Sequence, residues 1–177
     1  MIITALNEMK SYLEEKIQEE NYLLVQNGLN DDDEARKVLP AVATGNLPHQ
    51  NFNLYGADDI FFQAPYVLIG IEDTDSNMSE TAIQVLIQVC CCSSTYYHKD
   101  TEQTSIPDNK AFEDCIIFLE WIKNRIIKKW HFYGMAVDGN FKIGSYNSKE
   151  LTYPYSFGYV SFSLEQKEVT VNRSDLY

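Results

Sequence analysis

Cysteine and histidine are the residues of this sequence whose side chains have the most distinctive chemistry. They are Cys90, Cys91, Cys92, Cys115, His49, His98 and His131. Zinc needs four converging ligands at suitable spacing, and the sequence has no C-x-x-C pair. In a strand, Cys91 points away from Cys90 and Cys92. We therefore predict no metal site, and interpret the cysteines as small buried apolar residues in a reducing compartment.

Nucleophilic or phosphate chemistry is not indicated either. The sequence contains no G-x-S-x-G motif, Gly-rich phosphate loop, Walker lysine or dinucleotide fingerprint. Cys92 and His98 suggest a Cys–His pair, but a thiol in an apolar strand is usually inert. We predict no catalytic residue and no cofactor, and a role other than that of an enzyme. A small-ligand-binding or enzymatic α+β domain is the alternative, and loss of function in Cys90→Ala or His98→Ala with folding intact would favour it.

The composition predicts an acidic globular protein. The chain has 177 residues, 45% of them apolar, with 26 acidic against 14 basic side chains and a net charge of −12. We expect one domain over residues 1–177, and a surface that repels phosphate and so does not grip nucleic acid. The first residues lack the basic region of a signal peptide, and no window approaches a membrane span. The sequence therefore predicts a cytoplasmic site of synthesis.

The elements that must hold any site are organised around an apolar hairpin over Pro65–Ser93. Two β-branched runs, Tyr66–Ile71 and Ile83–Cys92, flank a loop rich in Asp, Ser, Asn and Thr. In the second run all odd positions from Ile83 to Cys91 are apolar, whereas the even positions include Gln84 and Gln88. Because side chains alternate along a strand, the odd face is predicted to be core and the even face partly wet.

Two amphipathic helices are predicted to pack on this sheet. The first covers residues 1–20, with an apolar stripe at Ile2, Leu6, Met9, Leu13 and Ile17. The second covers Lys110–Tyr133, with Gly134 as its C-terminal stop. Its predicted inner stripe is Phe112, Cys115, Leu119, Ile122, Ile126 and Trp130.

The remaining segments predict short strands and loops. Asn21–Gln26 is predicted as a strand, 34–39 as a short helix capped by Asp33, and 41–51 as a loop. We interpret 28–58 as a long loop or interface arm and 165–177 as a tail that is flexible or docks a partner. Asp138-Gly139 predicts a hairpin between Met135–Val137 and Phe141–Ile143.

The predicted fold class is therefore α+β. We expect an antiparallel or mixed sheet of about four to six strands, packed by the N-terminal helix and the long helix near 110–133.

Aromatic residues point to a candidate interface. The chain has twelve tyrosines and nine phenylalanines, and several cluster in Tyr153–Phe162. Tyrosine combines apolar area with a hydrogen-bonding tip, which suits contacts between subunits, although an aromatic-rich core strand would have the same composition. From Gly158 onward, Val160, Phe162 and Leu164 are predicted to face the core. The candidate interface residues are Tyr153, Tyr155, Phe157 and Tyr159.

The order of these features resembles the tail terminator and tail-completion (head–tail joining) proteins of long-tailed bacteriophages and prophages. The resemblance rests on the helix over Ile2–Ile17, on 60–69 leading to Glu72-Asp73 and the strand Ile83–Val89, on the helix Phe112–Trp130, and on the aromatic–proline segment 153–159. Loop 28–58 and the Asp138-Gly139 hairpin are longer than expected for that family, which keeps another neck, connector or minor structural protein open.

The resemblance implies a virion component without enzymatic activity, assembled in the bacterial cytoplasm. It implies a homo-oligomeric ring, commonly a hexamer, that caps the tail tube, stops its polymerisation and meets the head connector. Its partners would be further copies, the major tail tube protein and the connector, with DNA passing through the lumen without specific binding. A closed ring needs heterologous contacts, and an acidic lumen would let DNA pass without adhering.

Overall fold

The computed structural model describes residues 1–26, 35–45, 64–76, 80–93, 110–146 and 155–167. In those ranges the chain forms two α-helices and nine strands. In chain order they are α1 (Ile2–Glu19), β1 (Leu24–Gln26), β2 (Arg36–Val38), β3 (Ala41–Thr44), β4 (Tyr66–Ser76), β5 (Glu80–Cys92), α2 (Lys110–Lys129), β6 (His131–Phe132), β7 (Met135–Val137), β8 (Lys142–Ser145) and β9 (Tyr155–Lys167).

Helix α1 follows its predicted apolar stripe. Leu6, Met9, Leu13 and Ile17 are buried, and Ile2 packs partly buried against the same core. The Tyr12 hydroxyl donates a hydrogen bond to the Arg125 carbonyl at 3.0 Å, which ties α1 to α2. The helix thus buries one face and leaves its acidic face in solvent.

Helix α2 buries the middle of its predicted stripe, Cys115, Leu119, Ile122 and Ile126, but not its two ends. Its buried residues are Ala111, Cys115, Phe118, Leu119, Ile122 and Ile126. Phe112 and Trp130, assigned by the sequence pattern to the inner stripe, are 47% and 60% exposed, so that part of the prediction was wrong. The helix also ends at Lys129 rather than near Tyr133. Trp130 adopts a left-handed φ of 47° and takes the position at the helix end that had been assigned to Gly134.

Seven strands form one curled, mixed sheet in the order β3-β4-β5-β9-β7-β6, with β8 also pairing β9. The pair β3–β4 is parallel and the other pairs of this sheet are antiparallel. Helix α1 packs against both outermost strands, β3 and β6, and α2 packs against β5 and β9. The α+β architecture with a mixed sheet under two helices is confirmed. Because β7 and β8 occupy the same side of β9, the seven strands fill six positions.

The two faces of the sheet differ as the alternation predicts. On the helix side, the odd residues of β5 from Ile83 to Cys91 join the core with Val160, Phe162 and Leu164 of β9. The opposite side, here called the outer face, carries Gln84, Gln88, Cys90 and Cys92 on β5. Cys91 indeed points away from Cys90 and Cys92, because it lies in the core under the helices while they form a second cluster with Tyr66.

Residues 35–45 correct two sequence predictions. The segment predicted as a helix over 34–39 contains strand β2, which pairs antiparallel with β1. The Arg36 guanidinium donates to Gln26 Oε1 at 2.8 Å, which links β2 to β1. A helix of six residues is only marginally stable by itself and would lack this contact. Residues 41–44, predicted as loop, form β3 because β4 offers a parallel edge. The remainder of 28–58, and of the tail beyond Lys167, lies outside the described residues.

The predicted hairpin at Asp138-Gly139 is also wrong. Strands β7 and β8 run in the same direction and both pair β9. Residues 138–141 lie opposite only Phe162 and Ser163, so they bulge out of one interrupted strand. Asp138 N–H donates to the Ser163 carbonyl, and Asp138 Oδ1 accepts from Asn140 N–H at 2.9 Å, which closes the bulge locally. The hairpin forms one step earlier, between β6 and β7.

Candidate functional site

The predicted aromatic interface lies on the outer face of β9. Tyr155, Phe157 and Tyr159 pair across from Cys92, Cys90 and Gln88 of β5, and so share the face turned away from the helices. Tyr155 is exposed, whereas Phe157 packs against the cluster of Tyr66, Cys90 and Cys92. Phe157 therefore contributes to folding. Tyr153 lies outside the described residues.

Tyr159 organises a polar and aromatic surface beside it. Its ring covers Gly144, where a Cβ would come within 2.7 Å of the ring. Tyr146 lies 5.3 Å from the Tyr159 ring, and its hydroxyl accepts a hydrogen bond from Gln88 Nε2 at 2.8 Å. Contacts across three strands thus fix the orientation of both rings.

A second surface, the aromatic tip, consists of Trp130 and Tyr133 at the turn between α2 and β7. Their side chains are 60% and 54% exposed. Trp130 and Tyr133 have φ angles of 47° and 43°, uncommon for bulky residues, and Gly134 has φ of 78°. Positive φ at both Tyr133 and Gly134 is typical of the tight two-residue turn that joins β6 to β7. The backbone conformation at the helix end and in this turn therefore leaves both aromatic side chains exposed to solvent.

The tip is anchored by one carboxylate of α1. Glu8 Oε2 accepts from Tyr133 N–H at 2.8 Å, and Glu8 Oε1 pairs with Lys129 Nζ at 2.7 Å. The hydrogen bond from Lys129, opposed in part by desolvation, holds the pKa of Glu8 below its ordinary value. Lys129 also lies over the rings of Tyr12 and Phe132. These contacts fix the tip relative to α1.

An open cleft of about 640 Å³ lies on the other flank of α1. Its apolar lining comes from α1, β4 and β5: Ile3, Leu6, Leu68, Ile71 and Leu86. Asn7, Thr44 and Gln88 add polar groups. Ile3 and Ile71 are 66% and 41% exposed, and the exposed acidic residues Glu72 and Asp73 directly follow Ile71.

The edge of β4 beside this cleft is blunted. Among the described residues, β3 pairs with β4 only as far as Ile69, and Gly45, directly after β3, has a φ of 94°. The β4–β5 register shifts between Ile71 and Asp73, and Asp73 Oδ1 accepts from Thr74 N–H at 2.7 Å. A bulge and charged side chains are devices that discourage strand addition. The cleft is therefore better suited to side chains than to an added strand.

The cysteines lie in buried places. Burial is the main cause of the raised pKa of the Cys90 thiol. Hydrogen bonding to Cys115, together with burial, raises the pKa of Cys91. Cys92 Sγ donates to the Val25 carbonyl at 3.0 Å. Cys90 and Cys91, which are held protonated in this way, are poor nucleophiles. The described residues contain no group of three or more His, Cys, Asp or Glu side chains arranged to hold a metal ion, and His49 and His98 lie outside them.

The interface on the outer face of β9 stays a prediction from the sequence, and sequence reasoning did not predict the tip or the cleft. Trp130 follows the helical apolar period, so its exposure is not visible until the helix end is known. The one available signal was Tyr133-Gly134 between two short apolar runs, because glycine favours tight turns. The cleft joins residues far apart in the chain, which no local pattern brings together.

Neither helix in the described ranges has the length and apolar character that crossing a membrane requires. Comparison with known protein families finds no family model that matches this sequence, and comparison with curated proteins finds no match either.

Proposed function

We propose that this chain is a virion assembly protein of a long-tailed phage or prophage. It forms a ring, expected to be a hexamer, at the end of the tail tube. The ring stops tube polymerisation and joins the tail to the head connector. The single observation that carries this proposal is the exposed aromatic tip on a fixed backbone, because exposed Trp and Tyr side chains held rigid are typical anchors of protein interfaces.

Further exposed apolar side chains support an assembly role. Phe112, Ile117 and Ile127 of α2 and Ile3 of α1 are exposed in addition to the tip. Single exposed apolar residues are normal on a protein surface, but several large ones on both helices indicate surfaces that other chains cover. The fixed tyrosines Tyr146 and Tyr159 on the outer face add a site of the kind that suits contacts with tube protein or connector.

The test is assembly in solution and on tubes. Sedimentation velocity should show oligomers whose mass is a fixed multiple of the monomer, either for the chain alone or after mixing with the tail-tube protein of the same phage or prophage. Electron microscopy of that mixture should show tubes of limited length capped by rings. A chain that stays monomeric at high concentration in both settings, and leaves tube growth unchanged, contradicts the proposal. A major tail protein gene immediately downstream supports it.

A second candidate, a small-ligand-binding domain, is favoured by the cleft. Its volume of about 640 Å³ falls within the range of ligand sites, and it has an apolar lining with three polar residues. Native mass spectrometry of the purified chain distinguishes the two: a retained small molecule, lost on Ile71→Arg, would support the ligand site in place of the ring.

A further inference from the structure

We propose that the aromatic tip of one copy inserts into the cleft of the next copy. This inference rests on the proposed function and names the contact that builds the ring. Trp130 and Tyr133 would leave water, and the apolar lining around Ile3, Ile71 and Leu86 would receive them.

The two surfaces lie on opposite flanks of α1. On one flank, Glu8 contacts the tip at the Tyr133 N–H, and Tyr12, four residues later, contacts the ring of the neighbouring Phe132. Ile3 and Asn7, four residues apart on the other flank, line the cleft. One copy therefore cannot place its own tip in its own cleft, but it can give its tip to one neighbour and receive that of another. Such a head-to-tail contact is heterologous and closes into a ring when its rotation allows.

Size and charge are complementary between the surfaces. A cleft of about 640 Å³ is large enough for both rings of the tip. The exposed Lys128 and His131 flank Trp130 in the chain, whereas the exposed Glu72 and Asp73 directly follow Ile71 of the cleft lining. Glu8 pairs with Lys129 beside the tip, and Lys128 adds a positive charge there that the acidic residues next to Ile71 of another copy would complement.

The tip is also prepared for docking. Its backbone is held by Glu8 and by the hydrogen bond from Val137 N–H to the Trp130 carbonyl at 2.9 Å. A surface that is already ordered loses less conformational entropy on binding. The left-handed φ angles at Trp130 and Tyr133 are locally strained backbone conformations. With this backbone, both aromatic side chains are exposed to solvent.

The test compares two variants that disable opposite halves of the contact. The tip variant is Trp130→Asn with Tyr133→Asn, since asparagine tolerates the left-handed φ of both sites. The cleft variant is Ile71→Arg. Each alone should sediment as a monomer, with association weakened by about 30-fold or more relative to the unaltered chain. Glu120→Arg, at an exposed polar residue of α2 outside the surfaces assigned to assembly, is the control matched to Ile71→Arg and should assemble normally.

Mixing the two variants decides whether the contact is tip-to-cleft. One intact tip and one intact cleft remain in the mixture, so it should form dimers and nothing larger. Circular dichroism spectra matching the unaltered chain show that each variant is folded. If a variant is misfolded, a photo-crosslinker at position 130 of the otherwise unaltered chain replaces it, and crosslinks should fall on α1, β4 or β5 of a second copy.

Each remaining outcome counts against a defined claim. Normal assembly of the tip variant, or crosslinks from position 130 to other elements, overturns this inference and leaves the ring proposal standing. A monomeric unaltered chain at high concentration also overturns the inference, because the contact needs no other protein. The ring proposal is then judged separately on the mixture with tube protein.

Discussion

Gly158 lies where β9 passes beneath α2. A Cβ at this position would come within 2.6 Å of Leu119 Cδ1, 3.0 Å of Cys115 Sγ and 3.0 Å of the Gly144 carbonyl oxygen. The first two contacts are with side chains, but the third is with the backbone of β8, which cannot move without disturbing its pairing to β9. The absence of a side chain at this one residue sets the distance between helix and sheet.

Gly158→Ala should therefore lower the free energy of unfolding by about 1–3 kcal/mol, the usual cost of overpacking. Urea unfolding measures this change. Gly139→Asn is the matched control, because nothing lies within 4 Å of a Cβ there and asparagine tolerates positive φ. Equal stability of Gly158→Ala and the unaltered chain would show that the helix can lift off the sheet at little cost.

Glu8 links stability to pH at the tip. Its pKa is lowered mainly by the hydrogen bond from Lys129, so the folded state favours the ionised carboxylate. A lowered folded pKa contributes stability above the unfolded carboxyl pKa, and that stability is lost as the pH falls through the folded value. Glu8→Gln should destabilise the chain at neutral pH, and the difference should fade in acid. Urea unfolding at several pH values checks this, with the exposed Glu120→Gln as control. A difference that stays constant into acid would contradict the role of the charge.

At the scale of elements, α2 carries aromatic residues both in the core and on the surface. Phe118 is fully buried and stacks with Tyr22 and Trp121 at centroid distances of 4.8 and 5.7 Å. Glu20 closes this cluster by accepting from Trp121 Nε1 and pairing with Arg125. Phe112, on the same helix, is 47% exposed. The same residue type thus serves the core at one position and the surface at the other.

Phe118→Ala should cost about 3–5 kcal/mol because it leaves a cavity in the core and breaks the stack. Phe112→Ala on the same helix should change stability by about 0.5 kcal/mol or less, as surface substitutions usually do. Urea unfolding of the two variants gives the comparison directly. Similar losses for both would mean that the stripe predicted from the sequence, with Phe112 inside, describes α2 better than the fold does.

At the scale of the whole molecule, the excess of acidic residues predicts that the chain does not bind DNA. A net charge of −12 repels phosphate, while the basic residues of the second half of α2 are partly paired, Arg125 with Glu20 and Lys129 with Glu8. Fluorescence anisotropy with duplex DNA at physiological salt should show no saturable binding at micromolar protein. Saturable binding at that salt would contradict a lumen through which DNA passes without adhering, and would point to a nucleic-acid-binding role.

The sequence by itself determined the elements whose signals are local. The stripe of α1, the long hairpin of β4 and β5 and the alternation of β9 each repeat one spacing over many residues, so burial on one face follows from the period alone. The opposite orientation of Cys91 and its neighbours follows from the same rule. These features were sufficient to define an α+β fold with two helices on one face.

Only the tertiary structure decided where neighbouring segments compete for partners. Strands β7 and β8 both pair with β9 rather than with each other, because β9 is long enough to pair with both. The local sequence Asp138-Gly139 carries no information about that distant partner. Strand β3 exists because β4 supplies a parallel partner, and Trp130 is exposed because α2 stops before it. The tip and the cleft depend on residues distant in the chain, and their arrangement on two flanks of α1 is set by how that helix spans the curled sheet.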